Sequence, residues 1–130
     1  MLKVICIGNR FAYPDNFGMI IYEKLKKLNL PDTEIIEGGV GGFSLMPYFE
    51  DKSKILIIDY GTYEKNILTQ EDIKQLEITE FNHANAFLYL LKTVQKPYTI
   101  YICNKDFNEQ DIKIHLKKIT ELIKVLNGNN

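Results

Sequence analysis

Hydrophobic positions recur with two different periods along this chain, and the switches between them divide it into elements. Leu2 to Ile7 is a near-continuous apolar run broken by Gly8-Asn9, the pattern of a strand buried on both faces. Asp15 or Asn16 then stands where a helix cap belongs, and Ile20, Ile21, Leu25 and Leu28 recur at spacings of three and four, predicting a helix that runs to Asn29. Leu30-Pro31-Asp32 is a turn, Glu34 to Glu37 a short strand, and Gly38-Gly39-Val40-Gly41-Gly42 a loop leading into a short helix around Phe43–Phe49. Lys54 to Asp59 is the clearest buried strand. Residues 60–80 show no clear period: Thr69-Gln70-Glu71-Asp72 reads as a helix start, and a loop with extra edge strands fits equally well. Asn82 can cap a helix from His83 to about Lys92, ended by Pro97. Tyr98 to Cys103 is a further strand. Asn108 opens the last helix, whose apolar face is Ile112, Leu116, Ile119, Ile123 and Leu126.

Strands alternating with helices, the strands almost wholly apolar, predict a twisted and mostly parallel sheet of about five strands with helices on both faces. The expected fold is a three-layer αβα sandwich of the phosphorylase/hydrolase type. With no repeat, linker or low-complexity run, residues 1–130 are expected to form a single domain. Right-handed crossovers place the carboxyl ends of the first three strands on one edge. That edge receives the loop carrying Asp15, the glycine-rich loop, and Asp59 at the end of its strand. Crossover helices begin where strands end, so the helix opening at His83 faces it too.

Composition narrows the functional classes. A net charge of −1 provides no basic surface for nucleic acid. The apolar runs are a few residues each, far below the ~20 needed to span a bilayer, and no secretory signal pattern is visible; a cytoplasmic protein without membrane insertion is expected. The two cysteines, Cys6 and Cys103, fall inside predicted strands, which suits core residues of a reducing compartment better than a disulfide framework. Zinc-finger ligand sets are excluded by count.

Asp15, Asp59 and His83 are the candidate chemistry. Two aspartates, expected to be ionised at neutral pH, and a neutral imidazole at the positive end of a helix are ready donors for a divalent ion. Three protein ligands leave positions open for water or substrate, as in catalytic sites. Each residue also has a bland use: Asp59 as a cap for the next segment, Asp15 as a helix cap, His83 as a first-turn residue. Gly38, Gly39, Gly41 and Gly42 allow close backbone approach of a peptide or a phosphate, although the run is neither a dinucleotide fingerprint nor a P-loop. Ser44 and Ser53 lie in no nucleophile-elbow pattern. His115 is expected to be a solvated or half-buried surface residue, and Lys24, Lys26 and Lys27 the wet side of the first helix.

Taken in order, Cys6-Ile7-Gly8-Asn9-Arg10-Phe11, Asp15 with Gly18, Glu37-Gly38-Gly39-Val40-Gly41-Gly42, Ile57-Ile58-Asp59 and His83 resemble the hydrogenase maturation endopeptidases. The resemblance runs from about Met1 to Tyr101. It implies an endopeptidase that removes the C-terminal extension of a nickel–iron hydrogenase large-subunit precursor after nickel insertion. It further implies that Asp15, Asp59 and His83 contact the nickel, which the precursor supplies, and that zinc or cadmium can occupy the same place. The glycines Gly38, Gly39, Gly41 and Gly42 would then lie beside the substrate tail, and the protein would act as a monomer. Pro14 and Asn16 depart from the family pattern, as does Val40 where threonine is frequent. The alternative is a non-enzymatic flavodoxin-like or nucleotide-binding module in which both aspartates are caps.

Overall fold

Strands β1 (Leu2–Ile7), β2 (Thr33–Gly39), β3 (Lys54–Tyr60), β4 (Ile67–Thr69) and β5 (Tyr98–Cys103) form one sheet in the order β2-β1-β3-β5-β4. The structure, a computed structural model, describes residues 1–41, 43–76 and 83–128, without the side chains of 43 and 83–86. The pairs β1–β2, β1–β3 and β3–β5 are parallel, and β4 closes one edge antiparallel to β5. Helices α1 (Phe17–Lys26) and α4 (Glu109–Leu126) cover one face; a 3₁₀ segment (Phe43–Phe49) with helices α2 (Gln70–Lys74) and α3 (His83–Thr93) covers the other. This is the expected three-layer αβα sandwich.

The two-residue period of the strands divides the core. Leu2, Val4, Cys6, Leu56, Ile58 and Tyr101 pack with Phe17, Ile21, Leu25, Ile112, Ile119 and Ile123 on the α1/α4 face. Ile5, Ile7, Ile55, Ile57, Ile100 and Ile102 pack with Leu45, Phe49, Ile73, Phe87, Leu90 and Leu91 on the other. Each fully buried aliphatic side chain contributes roughly 1.5–3 kcal/mol, so a sheet covered on both faces is what these near-continuous apolar strands require.

The last helix is the one the periodicity anticipates, and its start is fixed by a capping box. Asn108 Oδ1 accepts from Asp111 N–H at 2.9 Å while the Asp111 carboxylate accepts from Asn108 N–H at 3.0 Å. The first helix begins at Phe17 with Asn16, one of the two expected caps, at the cap position, although the Asn16 side chain makes no cap bond. Its other end differs from expectation. It stops at Lys26, because the chain must turn back into β2, and Asn29 and Asp32 take left-handed φ values of 50° and 52° to do so. Leu28 therefore lies outside the helix and is 45% exposed. Within 60–80, the described residues 60–76 combine the two readings their sequence permitted. Ile67–Thr69 is an edge strand, and Thr69 caps α2 through a reciprocal bond with Asp72. The Asn82 cap falls outside the described residues.

His115 is half-buried rather than solvated. Its Nδ1 lies 2.7 Å from the Tyr101 hydroxyl, its Nε2 3.6 Å from Cys103 Sγ, and its ring packs edge-on against Phe17. Burial, with Lys118 nearby, holds its pKa below the usual histidine value. Both cysteines are buried and free, and burial pushes the Cys6 thiol up to about 12. Among the described residues no helix is long and apolar enough to cross a membrane.

Candidate functional site

Parallel pairing fixes where the strands end. Ile7 is in register with Gly39, Cys6 with Ile58 and Asp59 with Ile102, so the loops leaving β1, β2 and β3 share one rim. A cavity of about 530 Å³ opens there, and both candidate aspartates, Asp15 and Asp59, line it together with Gly8, Val40, Tyr63 and Phe87. Crevices beyond the carboxyl ends of parallel strands are the usual binding places of open α/β sheets.

Asp59 is the penultimate residue of β3, partly buried, with Oδ1 accepting from the N–H of Tyr60 at 2.8 Å. Burial raises its carboxyl from the ordinary 3.8 to about 7; the negative Asp15 adds to the rise and the Tyr60 N–H opposes it. The expectation that both aspartates are ionised at neutral pH is corrected here: near pH 7 about half the Asp59 carboxyls hold a proton. Desolvation is the cause, and it depends on packing that the sequence does not display.

Asp15 is exposed and does not cap α1. Its Oδ2 accepts from the backbone N–H of Asn9 at 3.1 Å, which ties the two ends of the β1–α1 loop together. Within that loop Asn9 Oδ1 accepts from Phe11 N–H at 3.0 Å, and Asn16 N–H donates to the Ala12 carbonyl at 2.8 Å. The Tyr13 hydroxyl donates to the Phe107 carbonyl at 3.0 Å and accepts from the Phe107 N–H at 3.1 Å, and the Tyr13–Pro14 bond is cis. These hydrogen bonds hold the long loop in one shape. The turn from β1 into α1 also needs glycine twice: a Cβ on Gly8 would overlap the Asp15 carbonyl oxygen, and one on Gly18 the Ile7 carbonyl oxygen.

His83 is the first residue of α3, which supplies Phe87 and Leu88 to the cavity lining. Its side chain lies outside the description. Among the described residues no three His, Cys, Asp or Glu side chains come together as a metal site.

The glycine run is not one loop. Gly38 and Gly39 end β2, an edge strand paired with β1; the Gly39 carbonyl accepts from Gly8 N–H at 2.7 Å, and Gly38 abuts the side chains of Ile5 and Ile7. Gly41, at φ 85°, lies so close to Phe87 that a Cβ would stand 3.2 Å from its ring. Gly42 is outside the described residues. Val40 is 76% exposed and lines the cavity mouth. Arg10 ties this rim to α1, pairing with Glu37 at 2.9 Å and Glu23 at 3.4 Å.

The segment Tyr60-Gly61-Thr62-Tyr63 also lines the cavity and was not singled out from the sequence. Its signal was available: it directly follows the carboxyl end of the clearest strand, and a glycine between two aromatics marks a close approach. The site thus offers one exposed carboxylate, one partly buried carboxyl poised to gain or lose a proton near neutrality, and an apolar-aromatic wall. Such a site can take up a cation or a proton beside an extended chain.

Comparison with known proteins bears on the fold and the family. The family model described as hydrogenase maturation protease (HycI) matches residues 19–125, a span that includes Asp59 and His83 and begins after Asp15. A Methanocaldococcus jannaschii protein described as a hydrogenase maturation protease is 30% identical over 91 residues, 68% of this chain; the match spans 57% of that relative's length. Among solved structures, the hydrogenase maturating endopeptidase HybD of E. coli superposes with a TM-score of 0.75 at 21% identity, over 95% of this chain and 91% of that one. The NiFe hydrogenase maturation protease HycI of Thermococcus kodakarensis gives 0.66 at 19% identity, over 98% and 92%. These likenesses establish the shared fold, and the family-model match goes further: the chain belongs to the hydrogenase maturation protease family.

Proposed function

We propose that the protein is a cytoplasmic endopeptidase, acting as a monomer, that removes the C-terminal extension of a nickel–iron hydrogenase large-subunit precursor once nickel has been inserted. One observation carries the reading: Asp15 and Asp59, far apart in sequence, line the same cavity at the carboxyl rim of the sheet, and α3 opens with His83. The family membership supports the reaction class.

In this reading the nickel arrives as part of the substrate. The carboxylates of Asp15 and Asp59 are its oxygen donors and the His83 imidazole its nitrogen donor. The donor set suits a cation, because burial and the charge of Asp15 both disfavour the anionic form of Asp59, and a bound cation would favour that form. A precursor without the ion would meet a half-protonated, self-repelling pair, which gives the site a reason to distinguish the two. Zinc or cadmium could fill the same set. The apolar wall of Val40, Tyr63, Phe87 and Leu88 excludes water on one side, and Gly39 leaves open space where a substrate backbone can approach.

The test is incubation of the purified protein with nickel-loaded and nickel-free precursor, read by mass spectrometry. Loss of the C-terminal peptide from the nickel-loaded form alone is expected, and Asp59→Asn or His83→Ala should stop it. Intact tails on several nickel-loaded precursors would overturn the proposal.

A further inference from the structure

Hydrolysis of a peptide places negative charge on the carbonyl oxygen, and that oxygen needs a hydrogen-bond donor. Several of the cavity's backbone donors are already committed. The N–H of Gly8 is committed to the Gly39 carbonyl at 2.7 Å and that of Gly61 to the Cys103 carbonyl at 3.1 Å. The N–H of Tyr60 is taken by Asp59 itself at 2.8 Å. The Tyr60 ring lies on the opposite face of the sheet, against Phe107, with Asp106 close to its hydroxyl. Of the remaining side-chain donors among the described lining residues, the hydroxyls of Thr62 and Tyr63 stand at the wall; Thr62 is exposed, whereas Tyr63 is half-buried against the core.

Tyr63 is also the better fixed of the two. Asn104 Nδ2 donates to its carbonyl at 2.9 Å, and Asn66 Nδ2 donates both to Asn104 Oδ1 at 3.2 Å and to the Ile102 carbonyl at 3.0 Å. The Asn66 carbonyl accepts from Ile102 N–H at 2.7 Å, so the segment after β3 is pinned to β5. Gly61 lies against the Tyr63 ring: a Cβ there would stand 2.8 Å from Cε2. The two asparagines thus fix the Tyr63 backbone, Gly61 leaves room for its ring at the cavity wall, and the Asp59 charge acts on the Tyr63 hydroxyl.

We propose that Tyr63 is a catalytic residue of this site, its hydroxyl donating the hydrogen bond that stabilises the carbonyl oxygen as water adds to the scissile peptide. The inference rests on the peptidase reading. The water oxygen bonds to the carbonyl carbon, and the C=O π pair moves onto the oxygen facing Tyr63. The hydroxyl keeps its proton throughout. The oxyanion pair then re-forms the C=O bond as the C–N bond breaks. The C–N pair leaves with the nitrogen, which takes a proton that came from the attacking water, and the new carboxyl group is the other product.

The experiment measures cleavage of nickel-loaded precursor by wild type, Tyr63→Phe and Thr62→Val, with kcat and KM separated. Loss of one such donor costs about 10²–10³ in kcat, so Tyr63→Phe should lose that factor with KM within a few-fold. Retention of kcat within about threefold, a loss confined to KM, or a loss in Thr62→Val and not in Tyr63→Phe overturns the assignment. If Tyr63→Phe unfolds, 3-fluorotyrosine at position 63 keeps the ring and alters the donor; a changed kcat at constant KM supports the proposal, and an unchanged one overturns it. Wild type that cuts no precursor removes the peptidase reading and this inference with it. Wild type and Tyr63→Phe cutting equally removes the inference alone.

Discussion

Replacing Asp59 by asparagine should make the protein more stable at neutral pH. The folded chain holds the Asp59 proton up to about pH 7, whereas an ordinary aspartate releases it near 3.8. Between those values the folded state binds more protons than the unfolded one, so stability falls as pH rises and levels off above the folded pKa. A rise of about three units corresponds to roughly 4 kcal/mol at about 1.4 kcal/mol per unit; water reaching a partly exposed carboxyl lowers this to about 2–4 kcal/mol. Asparagine keeps an oxygen for the Tyr60 N–H and carries no charge. Urea unfolding of wild type and Asp59→Asn at pH 4.5 and 8 tests this. At pH 8 the variant's midpoint should be higher by about 1–2 M, taking a slope near 2 kcal/mol/M, and at pH 4.5 most of the difference should vanish. Carboxyls remote from position 59 keep the same surroundings in both proteins, and their contributions cancel. A variant no more stable than wild type at pH 8, or a difference independent of pH, would refute the reasoning. The same substitution should abolish cleavage, because a carboxyl destabilised in the free protein is the one a cation would favour.

Three further outcomes follow from local geometry. Gly18→Ala should cost at least about 3 kcal/mol, seen as a large fall in melting temperature, because its Cβ would meet the Ile7 carbonyl, a backbone atom. Asn108→Ala removes one half of the α4 capping box and should cost about 1 kcal/mol in urea unfolding; no loss would mean the cap is redundant. His115 holds a pKa below the usual 6.5, so the unfolded chain binds the extra proton first and stability should fall as pH drops below about 6.5. His115→Gln should remove that part of the acid dependence between pH 5 and 8; identical slopes in the two proteins would refute it.

The fold was legible because its causes are local and repetitive. Apolar runs with a period of two and helices with spacings of three and four fix strand and helix, and their alternation fixes a parallel, doubly covered sheet. Asn108 was readable as a cap because the interaction spans only three residues. The α1 boundaries were less readable: Asp15 has the chemistry of a cap, yet its carboxylate is taken by Asn9, a loop contact that no periodicity encodes. The three-residue strand β4 is too short for a period to show, and it forms only because β5 offers an edge.

The sequence by itself determined which residue types stand at strand ends, and parallel topology alone was enough to send Asp15 and Asp59 to one rim. Only the tertiary structure decided what those carboxyls are chemically. Asp59 is pushed toward neutrality by neighbours that bury it and by an aspartate brought close through chain crossing. The Tyr60–Tyr63 wall likewise becomes part of the site only when Asn66 and Asn104 pin it to β5. Period and propensity act between near neighbours in the chain, whereas desolvation, charge coupling and donor supply arise between residues that only folding brings together.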